Sequence, residues 1–401
     1  MRRRTNALLC LATLAVLLPA PAALAEPTDP PGATTLPGMP ERLAPGQECT
    51  EHPGRVTAAA PWTRRALGLD QVWRLSKGRG VTVAVVGTGV SETPAVLAGR
   101  VRALDSAGED CVGRGTFQAG LVAGAGTPGH GFSGVAPEAA ILAVRGTGER
   151  GEPDRDRLAS GVRRAAEEGA DVITVTAPLD GADPDVRAAM AAAARHDALV
   201  VVPAADDGKA TSASSGASAG PPAPAPPSGA LAVVDTDPRG DRKAGAPAYT
   251  RADLTAPGTA LVGPGPAGDG KWTASGPSLA AALTAGAAAL VRSYHPRLSA
   301  AEVRDRILSG AYPGAELPAL DPYGAVSGVA RPAPVAAPAQ EPPVTLPEAA
   351  GTTGARSTAL LVTAGSAGVI VLVAFLAVVL PRGRARGWRP GRWDAADRPG
   401  R

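Results

Sequence analysis

The sequence predicts an α/β domain, a parallel sheet with helices on both faces, followed by one membrane-spanning helix. Three observations carry this. Short β-branched runs alternate with helical stretches from Gly80 to Asp235, the pattern of strand–helix–strand units. Small apolar residues run from Leu279 to Val291 at the density of a buried helix. Thr358 to Leu380 carries no charge and is rich in Val, Leu and Ala, enough to cross a hydrocarbon core that takes about 20 residues.

The chain of 401 residues suffices for one large domain plus accessory segments. It is 44% hydrophobic but only 3% aromatic, so small residues must build much of the core. The net charge of +3 is too balanced to argue for a nucleic-acid partner. No His/Cys/Asp spacing suggests a metal, and nothing points to a cofactor.

Both ends read as membrane signals. In Met1 to Ala25, Arg2, Arg3 and Arg4 precede the apolar run Ala7 to Leu18, and Ala23-Leu24-Ala25 offers a small-residue cleavage site. This is the make-up of a secretory signal over residues 1–25. Cys10 would leave with it. Cys49 and Cys111 remain, and in an exported chain they either pair or stay as two free thiols. At the other end, Arg382, Arg384, Arg386, Arg389 and Arg392 follow the apolar span 358–380. Positive charge marks the cytoplasmic side. The expected protein is therefore a single-pass cytoplasmic-membrane protein. Its N-terminal domain lies outside the cytoplasm, and the Arg-rich tail 381–401 lies inside.

Between those ends, residues 26–60 form a Pro-rich arm with no periodicity, and the expected domain covers 61–326. Gly80 to Val86 reads as a buried parallel strand, broken at Gly87. Cys111 to Gly124 is a turn running into a small-residue helix, and Gly134 to Arg145 a loop and a strand. Asp154 to Glu168 is a helix with Leu158, Val162 and Ala165 on one face. Asp171 to Thr176 is a strand, and Asp183 caps a helix reaching His196. Leu199 to Val202 is a strand that stops at Pro203. Lys209 to Gly229 is Ala/Ser/Pro-rich and reads as a surface loop, and Ala230 to Asp235 is another strand. Ser278 stands at the head of the Ala-rich helix, either as an N-cap or as a nucleophile that uses the free N–H groups there. Ser299 with Glu302 makes a capping box for a last helix over Leu298 to Ser309. A Pro/Ala-rich linker, 327–357, leads to the membrane span.

Several segments together resemble the subtilisin-like serine peptidases, and among them the mycosins of type VII secretion. Gly276-Pro277-Ser278-Leu279-Ala280 resembles the family's Gly-Thr-Ser-x-Ala. Gly80 to Val90, GVTVAVVGTGV, resembles the strand that carries the family Asp. Asp110 to Gly124, DCVGRGTFQAGLVAG, resembles the Asp-Cys-x-Gly-His-Gly-Thr segment. The lead-in Pro61 to Trp73, and the segments GVAPEAAILAVR, APGTALVGPGP and YHPRLSAAEVRDRIL, are similar as well. The order of signal, arm, domain, tether, anchor and basic tail also matches. The resemblance implies a subtilisin-like fold, a Cys49–Cys111 staple between arm and domain, and a place beside a type VII secretion membrane complex.

It also implies which catalytic positions are altered. The family Asp position falls at Gly87 and the family His position at Arg114. The Asn that donates to the oxyanion falls at Asp206, with Asp207 one residue off as the alternative. Only Ser278 remains of the triad. Arg114 stays protonated and cannot act as a base, and Gly87 has no side chain to orient one. A carboxylate at the oxyanion position repels the charge that an amide would stabilise. Of the other histidines, His130 lies in a Gly-His-Gly that aligns with a later loop, and His52, His196 and His295 read as structural or solvated. A Ser278–Asp206 pair is the remaining source of a base. The sequence thus expects a binding or scaffold protein with a degenerate peptidase site. The alternatives are a serine endopeptidase acting through Ser278, and a decayed copy with no role. Arg114 should meet a carboxylate: Asp206, Asp110 or Asp207.

Overall fold

The β-branched run after Gly80 forms β1 (Thr82–Gly87), from which the sheet extends both ways. The other strands are β2 (Val101–Ala103), β3 (Ala140–Arg145), β4 (Val172–Val175), β5 (Leu199–Pro203), β6 (Leu231–Thr236) and β7 (Leu254–Pro257). They make a 7-stranded sheet in the order β2-β3-β1-β4-β5-β6-β7, parallel at every pairing. This computed structural model describes residues 36–52, 54, 60–126, 131–208, 222–243, 245–314, 316–328 and 353–387. The signal segment 1–25 and His130 lie outside the described residues.

Side chains of a strand point alternately to its two faces. Val83 and Val85 of β1 join one core cluster, while Ala84 and Val86 join the other. Two small helices, α1 (Trp62–Ala66) and α2 (Leu69–Val72), lead in to the domain. The first cluster is covered by α3 (Arg114–Ala123) and α6 (Pro277–Tyr294), the second by α4 (Arg155–Glu167) and α5 (Pro184–Arg195). Buried Ala, Gly and Val dominate α3 and α6, so these helices approach the sheet with few large side chains.

The expected caps form. Asp183 accepts the Asp185 N–H at 2.8 Å, and Asp154, not expected as a cap, accepts the Arg157 N–H at 3.0 Å. Ser299 and Glu302 close a capping box on α7 (Ala300–Gly310), and α8 (Pro322–Ser327) follows. Ser278 is not the cap of α6. Gly276 is the N-cap, Pro277 occupies the first turn, and Ser278 lies one residue further in. Proline suits the first helical position because the N–H it lacks has no partner there in any case. The sequence reading did not place the strands β2 and β7 or the antiparallel hairpin of β8 (Leu261–Pro264) and β9 (Lys271–Ala274).

The arm crosses the domain. Thr273 in β9 donates its N–H to Pro37 O, and Met39 donates to Thr273 O, both at 2.8 Å. Arg150 reaches the Ala44 carbonyl at 3.1 Å and also that of Gln47. Cys49 and Cys111 are disulfide-bonded, and Thr50 beside them donates its N–H to Cys111 O at 2.9 Å. The bond closes a loop between residues 62 apart in sequence. By the chain-entropy argument, such a closure stabilises by about 2–4 kcal/mol. Unreduced mature protein should resist alkylation at both cysteines, and reduction should lower its unfolding midpoint. Two freely alkylated thiols would contradict this.

The C-terminal unit is described by itself. α9 (Thr353–Ala385) continues beyond Leu380, the end expected from the sequence, and carries Pro381 inside the helix. Within its stretch Leu361–Ala385 the mean hydropathy reaches 2.5 over an 18-residue window, long and apolar enough to cross a membrane. Val369, Ile370, Val371, Leu372 and Phe375 are all exposed, as a lipid-facing helix requires.

Candidate functional site

In an open parallel sheet, ligands bind outside the carboxyl ends of the strands, where the chain order reverses. Here β1 lies between β3 and β4, and β1 ends at Gly87. The loop after β5 carries Asp206 and Asp207, and α3 and α6 begin near it, so three segments converge on one corner.

Each is locked by its own chemistry. Asp110 holds the start of α3. Its carboxylate accepts the N–H groups of Gly113 and Thr116 at 2.8 Å, the Thr116 hydroxyl at 2.7 Å and the Thr88 hydroxyl at 2.8 Å. Thr88 Oγ1 accepts the Gly115 N–H at 2.8 Å and so ties the end of β1 to α3. Burial pushes the Asp110 carboxyl above its usual range, against these hydrogen bonds, which favour the anion. At α6, Gly276 has φ 140°. A Cβ there would lie 2.3 Å from Asp207 Oδ1 and 3.1 Å from Arg114 Nη2. Glycine is required because two charged side chains press against its backbone.

Those two side chains meet. Arg114, only 2% exposed, donates from Nη2 to Asp207 Oδ2 at 2.6 Å and to the Ser275 carbonyl at 3.0 Å. The same nitrogen lies 3.4 Å from Ser278 Oγ. Arg114 Nε is buried without a hydrogen-bond partner. Asp207 also takes the head of α6: Oδ1 accepts the Ser278 N–H at 2.8 Å, and Oδ2 accepts the Ser278 hydroxyl. Ser278 itself is fully buried.

The carboxylate at the site is therefore Asp207. Asp206, the position preferred from the sequence, is exposed and makes no hydrogen bond among the described residues. Beyond the end of β5 successive side chains point in different directions, so a register error of one residue exchanges an inward acid for an outward one. Of the three carboxylates open to Arg114, Asp207 is the one it meets, and Asp110 instead caps α3. At Gly87 a larger residue must displace the Thr176 side chain: a Cβ there would lie 2.3 Å from Thr176 Cγ2. The sequence reading missed Gln118, whose Nε2 donates to the Ser278 carbonyl at 3.3 Å, and Thr176. Gln118 lies within the segment Asp110 to Gly124 and Thr176 at the end of the strand expected from Asp171, but neither occupies a position to which the family pattern gives a role. Among the described residues no group of His, Cys, Asp or Glu could hold a metal.

An open cleft of about 340 Å³ adjoins this corner, lined by Met39 and Glu41 of the arm and by Arg114, Asp207, Asp235 and Lys243. Asp235 is buried, with Arg242 Nε at 3.8 Å, and its burial raises the carboxyl's pKa.

Chemically the corner is ill suited to acyl transfer. The Ser278 hydroxyl points at a carboxylate, but that carboxylate is already engaged by the buried guanidinium of Arg114 at 2.6 Å. The helix N–H that would meet a developing oxyanion is already occupied by Asp207 Oδ1.

Comparison with known proteins fits the fold. Residues 78–334 match the Peptidase S8 subtilase family. The chain belongs to the subtilase family. Mycosin-4 of Mycobacterium tuberculosis is 31% identical over 97% of this chain and 98% of its own length. Mycosin-3 of the same organism is 31% identical over 83% and 86%. Among solved subtilases, the structure of MycP3 protease from the type VII (ESX-3) secretion system is 27% identical. It covers 75% of this chain and 100% of its own, with a TM-score of 0.57. The subtilase scaffold thus surrounds a serine bound by carboxylate and guanidinium.

Proposed function

We propose that this chain is a membrane-anchored, extracytoplasmic member of the subtilase family that works by binding within a type VII secretion system and does not cleave peptides. The observation that carries the reading is the Asp207 carboxylate on both the N–H and the hydroxyl of Ser278, backed by Arg114. A hydroxyl held this way has no free base, and its oxyanion position is filled by negative charge. The kinship to mycosins supports the secretion setting. MycP1, described as an essential component of the type VII (ESX-1) secretion system, is 27% identical over 74% of this chain with a TM-score of 0.58. The apolar part of α9 supports the anchor, and the arginines that follow it support a cytoplasmic tail. The domain 61–326 would then stand outside the cytoplasm on the linker 327–357.

A fluorophosphonate probe tests the reading, because labelling needs an activated hydroxyl. Wild-type chain in membranes should stay unlabelled under conditions that saturate an active subtilase. Ser278→Ala should leave secretion by the host cell unchanged. Peptide cleavage that Ser278→Ala abolishes together with secretion would establish the endopeptidase reading instead.

A further inference from the structure

The corner that disables catalysis is built as an anion site already filled from within. Three donors converge on the Asp207 carboxylate: Arg114 Nη2 at 2.6 Å, the Ser278 N–H at 2.8 Å and the Ser278 hydroxyl. The N–H belongs to the first turn of an 18-residue helix, where the backbone dipole favours negative charge. Arg114 supplies the second, independent feature. It is almost wholly buried, lines the cleft, and keeps its Nε without a partner. A guanidinium binds a carboxylate best through two parallel N–H donors. Its bonds to Asp207 and Ser275 both leave from Nη2, so the two-pronged mode is unused.

The geometry points to a peptide C-terminal carboxylate as the ligand of this corner, competing with Asp207 for Arg114 and the Ser278 N–H, with the preceding residues lying in the adjoining cleft. This inference rests on the non-catalytic reading, since a working nucleophile would need the same N–H for its oxyanion. The cleft, about 340 Å³, is within the usual range of small-ligand sites. It is open, and Thr259 and Lys243 line it beyond the corner itself. A peptide amide presents no charge to Arg114, so the terminal carboxylate is the discriminating group. Asp207 sets the affinity: a tethered internal anion must be displaced before an external one can enter.

Isothermal titration of the full chain in detergent tests this with acetyl-trialanine as the free acid, the same peptide as its C-terminal amide, and inorganic phosphate. Asp207→Ala empties the corner, and Asp207→Asn removes the charge while keeping the volume. Circular dichroism establishes that each variant is folded, so the Asn variant carries the test if the Ala variant is not. The folded variant should bind the acid at least about tenfold more tightly than wild type does, and at least about tenfold more tightly than it binds the amide, each factor of ten being near 1.4 kcal/mol. Adding Arg114→Gln should remove the preference for the acid. The inference is overturned if acid and amide bind alike or if Arg114→Gln leaves the preference intact. It is equally overturned if wild type binds the acid as tightly as the variant, because Asp207 would then not be a competitor. Phosphate bound as tightly as the peptide acid would reduce the site to a bare anion hole and refute the peptide ligand. Fluorophosphonate labelling of wild type is read separately, so failure of the non-catalytic reading and failure of this one give different results.

Discussion

Arg114→Met should destabilise the domain by about 3 kcal/mol, the low end of what breaking a buried ion pair costs. The low end applies because Asp207 keeps its two contacts from Ser278 after the guanidinium is gone. The two side chains are 3% and 12% exposed, so water can do little to replace the lost partner. Arg114→Met with Asp207→Asn should recover most of the loss, since the second change removes the orphaned charge. The two single changes and the double change form a cycle, and denaturant unfolding of the detergent-solubilised chain reads it. A coupling near zero would mean that the pair does not hold the corner together. The Arg164–Asp105 bridge is a useful contrast. Both of its side chains are open to solvent, and its removal should barely register.

What the sequence made legible depended on how local the signal was. α4 was readable from its amphipathic face, with Leu158, Val162 and Ala165 buried, and α7 from the capping box of Ser299 and Glu302. β1, β4 and β5 were readable because both faces are buried, so each is a continuous apolar run. β2 spans only Val101–Ala103 and is half exposed, leaving no period to detect. The β8–β9 hairpin pairs Leu-Val-Gly-Pro with Lys-Trp-Thr-Ala, two four-residue strands too short to show a period, and the arm hydrogen-bonds to it at Thr273. At the site, the segments were identifiable but the contacts were not. Nothing around Asp206-Asp207 says which acid turns inward, because that follows from where β5 ends and how the chain bends after Pro203. The position of Ser278 did have a local signal: Gly followed by Pro marks N-cap and first turn, which puts the serine inside the helix.

Gly87→Asp, Arg114→His and Asp207→Asn together should restore fluorophosphonate labelling of Ser278, most strongly when Thr176→Ser is added. The first three changes supply an orienting carboxylate, a base and an amide in place of the carboxylate that fills the oxyanion position. General-base help is worth about 10²–10⁴ in rate, and one oxyanion donor about 10²–10³. The fourth change follows from packing. Thr176 Cγ2 lies 2.3 Å from where a Cβ on residue 87 would stand, while its Oγ1 is 3.3 Å away. Serine deletes the obstructing methyl and keeps the hydroxyl. The same set with Asp206→Asn in place of Asp207→Asn should stay unlabelled, because Asp207 would still accept the Ser278 N–H. Labelling by the 206 set and not by the 207 set would show that the wrong acid has been assigned to the corner. Labelling by the 207 set should also be at least about 100-fold faster than any trace seen in wild type. Without Thr176→Ser it should be weaker, since the new carboxylate must push that side chain aside before it can orient the histidine. Gly276 must be left alone throughout, because its backbone lies against residues 207 and 114, where any side chain would collide.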